Sequence, residues 1–293
     1  MPITHPRAAL NVLSRYGADV LIDIMPWPRM VPIVAALSGN SYLIGFRTPG
    51  RFRHWAFDTA IQHSADQHEL ENYRALLAPL GIRCEKLPRA PEGLRSVSSQ
   101  LSAAGRPLLT FHPWASGFRS GLREWAVARW AELGRIALAN GCDIAITGGP
   151  ADAARTHQLA NLLGASERVS ARSGASLLTT AQTLAGSAAV VSVNTGVMHL
   201  TAALDRPLIA LHGPTNPARW GPLSNNAIVL GPGVAEGGAY LNLGFEYPRN
   251  AADCMGKITV EEVWNSVSSI LKVRAPIRDI RKSETKGPLM AMT

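Results

Sequence analysis

The sequence predicts a doubly wound parallel α/β fold in two domains, and three observations predict it. Short apolar runs alternate with segments of helical period along most of the chain. The 293 residues suffice for two cores, at roughly 100–200 residues per domain. Several apolar runs end in Gly, Pro, Asn or Thr, the small and polar residues expected where strands stop beneath a ligand crevice.

Taken in order, the first 17 residues read as mostly helical, and "ADVLIDI" (18–24) as a compact strand. "PIVAALSG" (32–39) reads as a short helix stopped by Gly39, and "YLIGF" (42–46) as a second strand. "HELENYRALLAPLG" (68–81) places Leu70, Tyr73, Leu76, Leu77 and Leu80 at helical spacing and stops at Gly81. Residues 88 to 106 are rich in Pro, Gly and Ser and read as the link between a first domain, 1–100, and a second, 101–275. The second begins with the strand "PLLTFHP" (107–113) and a helix over 123–141 that ends at a glycine. "DIAITGG" (143–149) is the next strand, with helices expected around 150–164 and over 176–187. "AAVVSVN" (188–194), a helix over 196–205 and "PLIALHG" (207–213) close the strand series. "ITVEEVWNSVSSILKV" (258–273) is a final amphipathic helix, and 276–293 reads as a loose polar tail.

Composition narrows the function. With 46% hydrophobic and 17% charged residues the chain belongs with folded proteins, not disordered ones. No run approaches the roughly 20 apolar residues of a membrane span, and "MPITHPRAAL" lacks the apolar core of a signal peptide, so a cytoplasmic protein is expected. Cys84, Cys142 and Cys254 are scattered without a CxxC pair, which reads as inert thiols and neither a zinc site nor a disulfide framework. The net charge of +8 points to anionic partners. The basic residues are scattered apart from a knot at Arg47, Arg51, Arg53 and His54, with no nucleic-acid motif. A phosphorylated small molecule or an anionic lipid surface therefore suits the charge at least as well as nucleic acid.

Four strand ends carry chemistry. After "LLTF" come His112, Pro113, Trp114, Ala115, Ser116 and Gly117, with Arg119 and Arg123 close behind. After "DIAIT" come Gly148 and Gly149, with Asp152 at the next helix start; after "LIAL" come His212, Gly213, Pro214, Thr215 and Asn216. "SVNTGVMHL" (192–200) is the most suggestive. Asn194 or Thr195 can cap a helix there, Gly196 leaves room over its first turn, and the free N–H groups attract an anion. Helical side chains lean toward the N-terminus, so His199 is expected to point back over Thr195 and Gly196. The same spacing also suits a histidine that bonds a loop carbonyl, and Asp152 equally suits ordinary capping. His112 and Ser116 could take phosphate oxygens, although His-Pro at a strand end also makes a plain turn. No GxGxxG, GxxxxGK[ST] or GxSxG pattern occurs, which counts against a dehydrogenase, an NTPase and a hydrolase.

Together, "TFHPWASGFRSGLREWAVARWAEL", "ITGGPAD" and "SVNTGVMHLTAALDRPLIALHGPTNPARWGPL" resemble glycosyltransferase family 9, the lipopolysaccharide heptosyltransferases. The last segment is the most specific, since the family shows Ser-x-Asp-Thr-Gly-x-x-His, then Ala-Leu-x-x-Pro and Gly-Pro-Thr, at this spacing. The resemblance spans about residues 10 to 272. It implies a GT-B fold of two Rossmann-like domains, with acceptor on the first and nucleotide-sugar on the second. It also implies inverting, metal-independent sugar transfer from a donor such as ADP-heptose to an anionic lipopolysaccharide core, with no cofactor and with peripheral contact at the inner membrane. By this resemblance Ser116 and the neighbouring loop backbone contact donor phosphates, Arg123 neutralises the leaving diphosphate, Asp152 lies near the ribose, and Thr195, Gly196 and His199 hold diphosphate and sugar. Gly117, Arg119, Gly148, Gly149, Asn194, Gly213 and Thr215 complete the expected donor-binding set.

Two departures stand out. Asn194 occupies a position where family members carry Asp. No Gly-Asp pair occurs, so the loop whose aspartate deprotonates the acceptor is not found, and the first domain reads as incomplete at its front. Asp23, His54 and Asp58 are the substitute bases, each also readable as structural. The alternative function is a non-catalytic nucleotide-sugar-binding or interaction protein.

Overall fold

A computed structural model describes residues 5–39, 42–96, 105–164, 166–243, 246–249, 251 and 253–271. The expected tail, 276–293, lies outside the described residues, as do 97–104 of the expected link. The chain divides into two compact units. One comprises Met1–Leu87 with Pro217–Trp220 and Asn242–Glu246; the other comprises Pro88–Asn216, Gly221–Leu241 and Tyr247–Thr293.

The first unit starts with α1 (Pro6–Tyr16), which has Pro at its first position and ends at Gly17 in the left-handed region, φ +52°. β1 (Val20–Asp23), α2 (Met30–Leu37) and β2 (Tyr42–Arg47) follow as expected. The next strand, β3 (Thr59–Gln62), is not evident in the sequence because only four residues pair, none of them buried. The three strands form a parallel sheet in the order β1-β2-β3. Alternation along β2 builds two small cores: Leu43 meets Ala35 and Phe57, while Ile44 and Phe46 meet Leu76 on the opposite face. The helix expected over 68–81 is shorter. α3 spans Glu69–Ala75, followed by one tight turn at Ala78–Leu80. Pro79 has no N–H to give the carbonyl of Ala75, so the α-helix stops before it.

In the second unit the expected link partly folds. α4 (Glu92–Arg95) lies in it, the Ala90 N–H donates to Ala203 O at 2.8 Å, and Ala90 and Leu94 pack against the buried cluster that includes Leu184 and Met198. Then come β4 (Leu108–His112), α5 (Val127–Ala139), β5 (Asp143–Gly148), α6 (Ala153–Leu162), β6 (Val169–Ser173), α7 (Leu177–Ala185), β7 (Ala189–Val193), α8 (Gly196–Ala203) and β8 (Leu208–Leu211). α9 (Pro217–Trp220) belongs to the first unit, and β9 (Ala227–Leu230) and α10 (Val260–Leu271) complete the second. β8 does not close the series: β6 and β9 are the two outer strands of a six-stranded parallel sheet ordered β6-β5-β4-β7-β8-β9. Neither contains a fully buried residue, so neither shows the apolar run of a central strand.

α5 begins four residues later than expected, because Ser120–Arg123 forms a 3-10 turn and Glu124 is extended. That break turns Trp125 into the core, where it meets Trp130 edge-on at 5.3 Å and donates from Nε1 to Ile258 O at 3.0 Å. Cys142 and Cys254 are buried, which pushes their thiols up, that of Cys142 to about 11; Cys84 is exposed. Among the described residues no helix is long and apolar enough to cross a membrane.

Candidate functional site

The strand order puts a topological switch point between β4 and β7, where the chain's winding reverses, and ligands bind beyond the carboxyl ends of such strands. His112, the last residue of β4, is in register with Ser192 of β7. The loop after β4 and the start of α8 therefore leave the sheet side by side.

At α8, Thr195 holds the N-cap position with extended backbone (φ −150°, ψ 174°), but its side chain caps nothing. Its Oγ1 is buried with no hydrogen-bond partner among the described residues. Thr195 therefore supplies no side-chain cap, and its unpartnered hydroxyl is left at the first turn, where the leading N–H groups of a helix have no intrahelical partner. Gly196 is exposed, and a Cβ there would meet nothing within 4 Å. His199 is exposed on the same turn.

The other glycines are not alike. A Cβ on Gly148 would stand 2.9 Å from Trp114, Thr156 and Asp152 side-chain atoms, and one on Gly213 would stand 2.5 Å from Met255 Sδ. Those two are small because neighbouring side chains fill the space, which corrects the expectation that they make room for a ligand. Gly117 lies at φ +91°, a backbone conformation that favours glycine.

Ser116 and Gly117 are exposed, and Arg123 Nη2 donates to Ser116 O. These three expected phosphate contacts are thus neighbours. Arg119 turns away from them. Held at φ +48°, it donates from Nη1 to Pro248 O at 2.9 Å and lies over the Tyr247 ring at 5.6 Å.

Asp152 is heavily engaged. Its Oδ2 accepts from Gly149 N at 2.8 Å and its Oδ1 from Arg155 at 2.6 and 3.0 Å. Arg155 also reaches Glu124 Oε2 at 2.8 Å and covers the Trp114 ring at 4.3 Å, while Glu124 Oε1 accepts from Ala115 N at 2.8 Å. The Glu124–Arg155–Asp152 bridge ties the loop after β4 to that after β5. In the sequence Arg155 is signalled only by its i+3 spacing from Asp152.

Two buried histidines flank the switch point. Burial pushes His112 down to about 4, against the pull of Asp152. Thr147 Oγ1 donates to Phe111 O at 3.1 Å and so accepts from His112 Nδ1 at 2.9 Å. That leaves Nε2 as a bare lone pair, unable to donate to a phosphate, which corrects the role expected for His112. His212 is also held down to about 4 by burial, with the nearby His199 acting in the same direction. Thr215 Oγ1 lies 3.1 Å from His212 Nδ1, and Asn194 Nδ2 lies 3.3 Å from each ring nitrogen. Asn194 is turned to His212.

In the first unit, Asp23 is no free base. Its Oδ1 accepts from Met25 N at 2.9 Å and its Oδ2 is paired with Arg53, both side chains being buried. Burial raises the carboxyl's pKa, and the Met25 N–H and Arg53 oppose this. Asp58 accepts from Leu43 N at 2.7 Å. His54 lines a hollow with Arg47, Phe52 and Gln62, so the basic knot divides: Arg53 is structural while Arg47 and His54 face open space. A cavity of about 330 Å³ beside it is lined by Trp27, Thr48, Arg51, His63 and Leu243 among others. His63 Nε2 meets Glu69 Oε1 at 3.0 Å, and Arg219 pairs with Glu69. Burial pushes the Glu69 carboxyl up, but hydrogen bonds from His63 and Arg219 outweigh this and hold it down.

A parallel sheet wound in this order, reversing at the switch point, defines a Rossmann-type unit, and the whole fold is that of the GT-B glycosyltransferases. The chain aligns with the heptosyltransferase II of Escherichia coli at TM-score 0.68 and 21% identity, covering 92% of this chain and 81% of that one. It aligns with the E. coli heptosyltransferase WaaC with ADP at TM-score 0.67 and 23% identity, over 90% and 77% of the two chains. The chain belongs to glycosyltransferase family 9 (heptosyltransferase), whose model matches residues 8–236. Lipopolysaccharide heptosyltransferase 1 of Pseudomonas aeruginosa is 32% identical over 167 residues, 56% of this chain and 45% of that protein. That of Salmonella typhimurium is 41% identical over 105 residues, 36% of this chain and 32% of that protein. The chain thus spans between a third and a half of the curated relatives it matches.

Proposed function

We propose that the second unit binds a nucleotide-diphosphate sugar and that the protein transfers the sugar, a heptose, with inversion to a lipopolysaccharide-type envelope acceptor. The observation that carries this reading is the start of α8: open N–H groups, uncovered Gly196, the unpartnered Thr195 Oγ1 and exposed His199 in one turn. A diphosphate satisfies the N–H groups and the hydroxyl together. Arg123 and Ser116, leaving β4 beside it, supply charge and a further donor. The curated relatives are lipopolysaccharide heptosyltransferases, and one structural neighbour was solved with ADP.

In this reading an acceptor hydroxyl oxygen attacks the anomeric carbon on the face opposite the diphosphate and releases its proton to solvent water. The bond from that carbon to the diphosphate oxygen breaks with its electron pair. The developing charge meets fixed donors at α8, His199 and Arg123, which need no reorganisation as it forms. Asp152 serves the site through Gly149 and Arg155, and reaches a ribose only beyond those bonds. Asp23 is not the base, since both its oxygens are bonded. The acceptor belongs to the first unit, where Arg51 and Trp27 line a cavity and Arg47 and His54 an adjoining hollow. The net charge of +8 suits an anionic glycolipid, presented at the cytoplasmic face of an inner membrane that the protein touches peripherally.

Titration with ADP and ADP-heptose tests the donor site. His199→Ala and Arg123→Ala should each weaken ADP binding about tenfold, the weight of one charged hydrogen bond at roughly 1.5 kcal/mol. Wild-type affinity in both variants would refute the assignment. Donor binding without transfer to heptose-deficient lipopolysaccharide would establish the non-catalytic binding protein instead.

A further inference from the structure

We propose that Phe118, Tyr240 and Tyr247 form the subsite for the sugar ring of the donor; this rests on the donor reading above. Three observations carry it. Phe118 is 76% exposed, although the loop that presents it passes through the left-handed region on both sides, at Gly117 (φ +91°) and Arg119 (φ +48°). An arginine in that region is strained, and here the strain is not repaid by burying the neighbouring phenyl ring. The loop is nevertheless fixed: Phe118 meets Tyr247 edge-on at 5.4 Å and 84°, and Arg119 clasps the Tyr247 ring and the Pro248 carbonyl. The result is a preformed, solvent-facing aromatic wall.

The second observation is Tyr240. Its Oη is buried with no hydrogen-bond partner among the described residues, and Arg119 and Tyr247 both act on it electrostatically, so it stands beside the wall. A buried hydroxyl without a partner is destabilising, and a ligand hydroxyl that bonds to it recovers that cost.

The third is strand order. Asp152 follows β5, the diphosphate cradle starts after β7, and Gly213–Thr215 follow β8 on the far side. Tyr240 is tied to that far loop, because Ala239 N donates to Gly213 O at 2.9 Å and Leu241 N to Pro214 O at 2.7 Å. A donor laid along this crevice with its ribose toward β5 and its diphosphate at α8 brings its sugar to the β8 side. A pyranose ring offers a face of C–H bonds to the negative aromatic faces and hydroxyls to Tyr240.

Isothermal titration with ADP and ADP-heptose separates this proposal from the donor reading. Wild type should bind ADP-heptose more tightly than ADP. Phe118→Ala should cut ADP-heptose affinity at least fivefold and shift ADP affinity less than twofold. Tyr240→Phe, which keeps the ring and removes only the hydroxyl, should act in the same direction. Equal loss for both ligands, or no loss for either, overturns the subsite while ADP binding leaves the donor reading intact. Failure of wild type to bind ADP overturns both.

Discussion

Asn194 Nδ2 stands 3.3 Å from both ring nitrogens of His212, so the residue that departs from the family pattern is set against a histidine buried in the neutral form. A neutral amide leaves that histidine uncharged. A carboxylate at the same place would attract a proton to it, with a pair interaction of several kcal/mol at the effective dielectric of a protein site. Asn194→Asp should therefore lift the His212 titration from about 4 past its usual value of 6.5, as read by NMR. A midpoint that stays near 4 would show that the two side chains are not electrostatically coupled.

The two buried histidines of the second unit also set an acid limit on stability. His112 and His212 each bind a proton near pH 4 when folded and near 6.5 when unfolded. Below pH 6.5 the unfolded chain thus holds more protons, so stability falls as the pH drops from 6.5 toward 4 and is unaffected by them above 6.5. The loss is on the order of 3 kcal/mol per histidine. Urea denaturation at pH 7.5 and pH 5 should show it, and His112→Gln should flatten part of the slope.

Asp23 and Arg53 form a buried pair, and breaking one side should cost more than removing both. Arg53→Met strands the carboxylate and should cost about 3–5 kcal/mol in chemical denaturation, whereas Asp23→Asn with Arg53→Met together should cost much less. If Asp23→Asn instead abolished sugar transfer at unchanged stability, the carboxylate would be a base after all.

The central strands and most helices of the second unit were legible because β4, β5, β7 and β8 are buried, apolar and punctuated by Gly, Pro or Asn. β3, β6 and β9 were not, since edge or half-exposed strands of four or five residues have neither the apolar run nor clean alternation. At the site, local features such as the Thr195–Gly196 helix start could be read from spacing. What could not were interactions between residues far apart in the chain. The Glu69–Arg219 pair spans 150 positions, and Asp23–Arg53 spans 30. The side chains that crowd Gly148 and Gly213 were equally invisible, so four glycines of one apparent kind proved to be of different kinds.

That difference can be measured. Gly196 starts α8 at an ordinary φ with open space above it, so Gly196→Ala should fold at least as stably as wild type, alanine being favoured over glycine in a helix by up to about 1 kcal/mol. Its methyl group would occupy the space over the first turn that a diphosphate must enter, so ADP affinity should fall tenfold or more. Gly148→Ala should do the reverse. Its methyl would stand 2.9 Å from Trp114, Thr156 and Asp152, and overpacking of this kind costs about 1–3 kcal/mol. Once folded, that variant should keep ADP affinity within a few-fold. Thermal melts and ADP titrations on the two variants give a two-by-two outcome. If Gly196→Ala loses stability and keeps ADP binding, the open turn of α8 is not where the diphosphate sits.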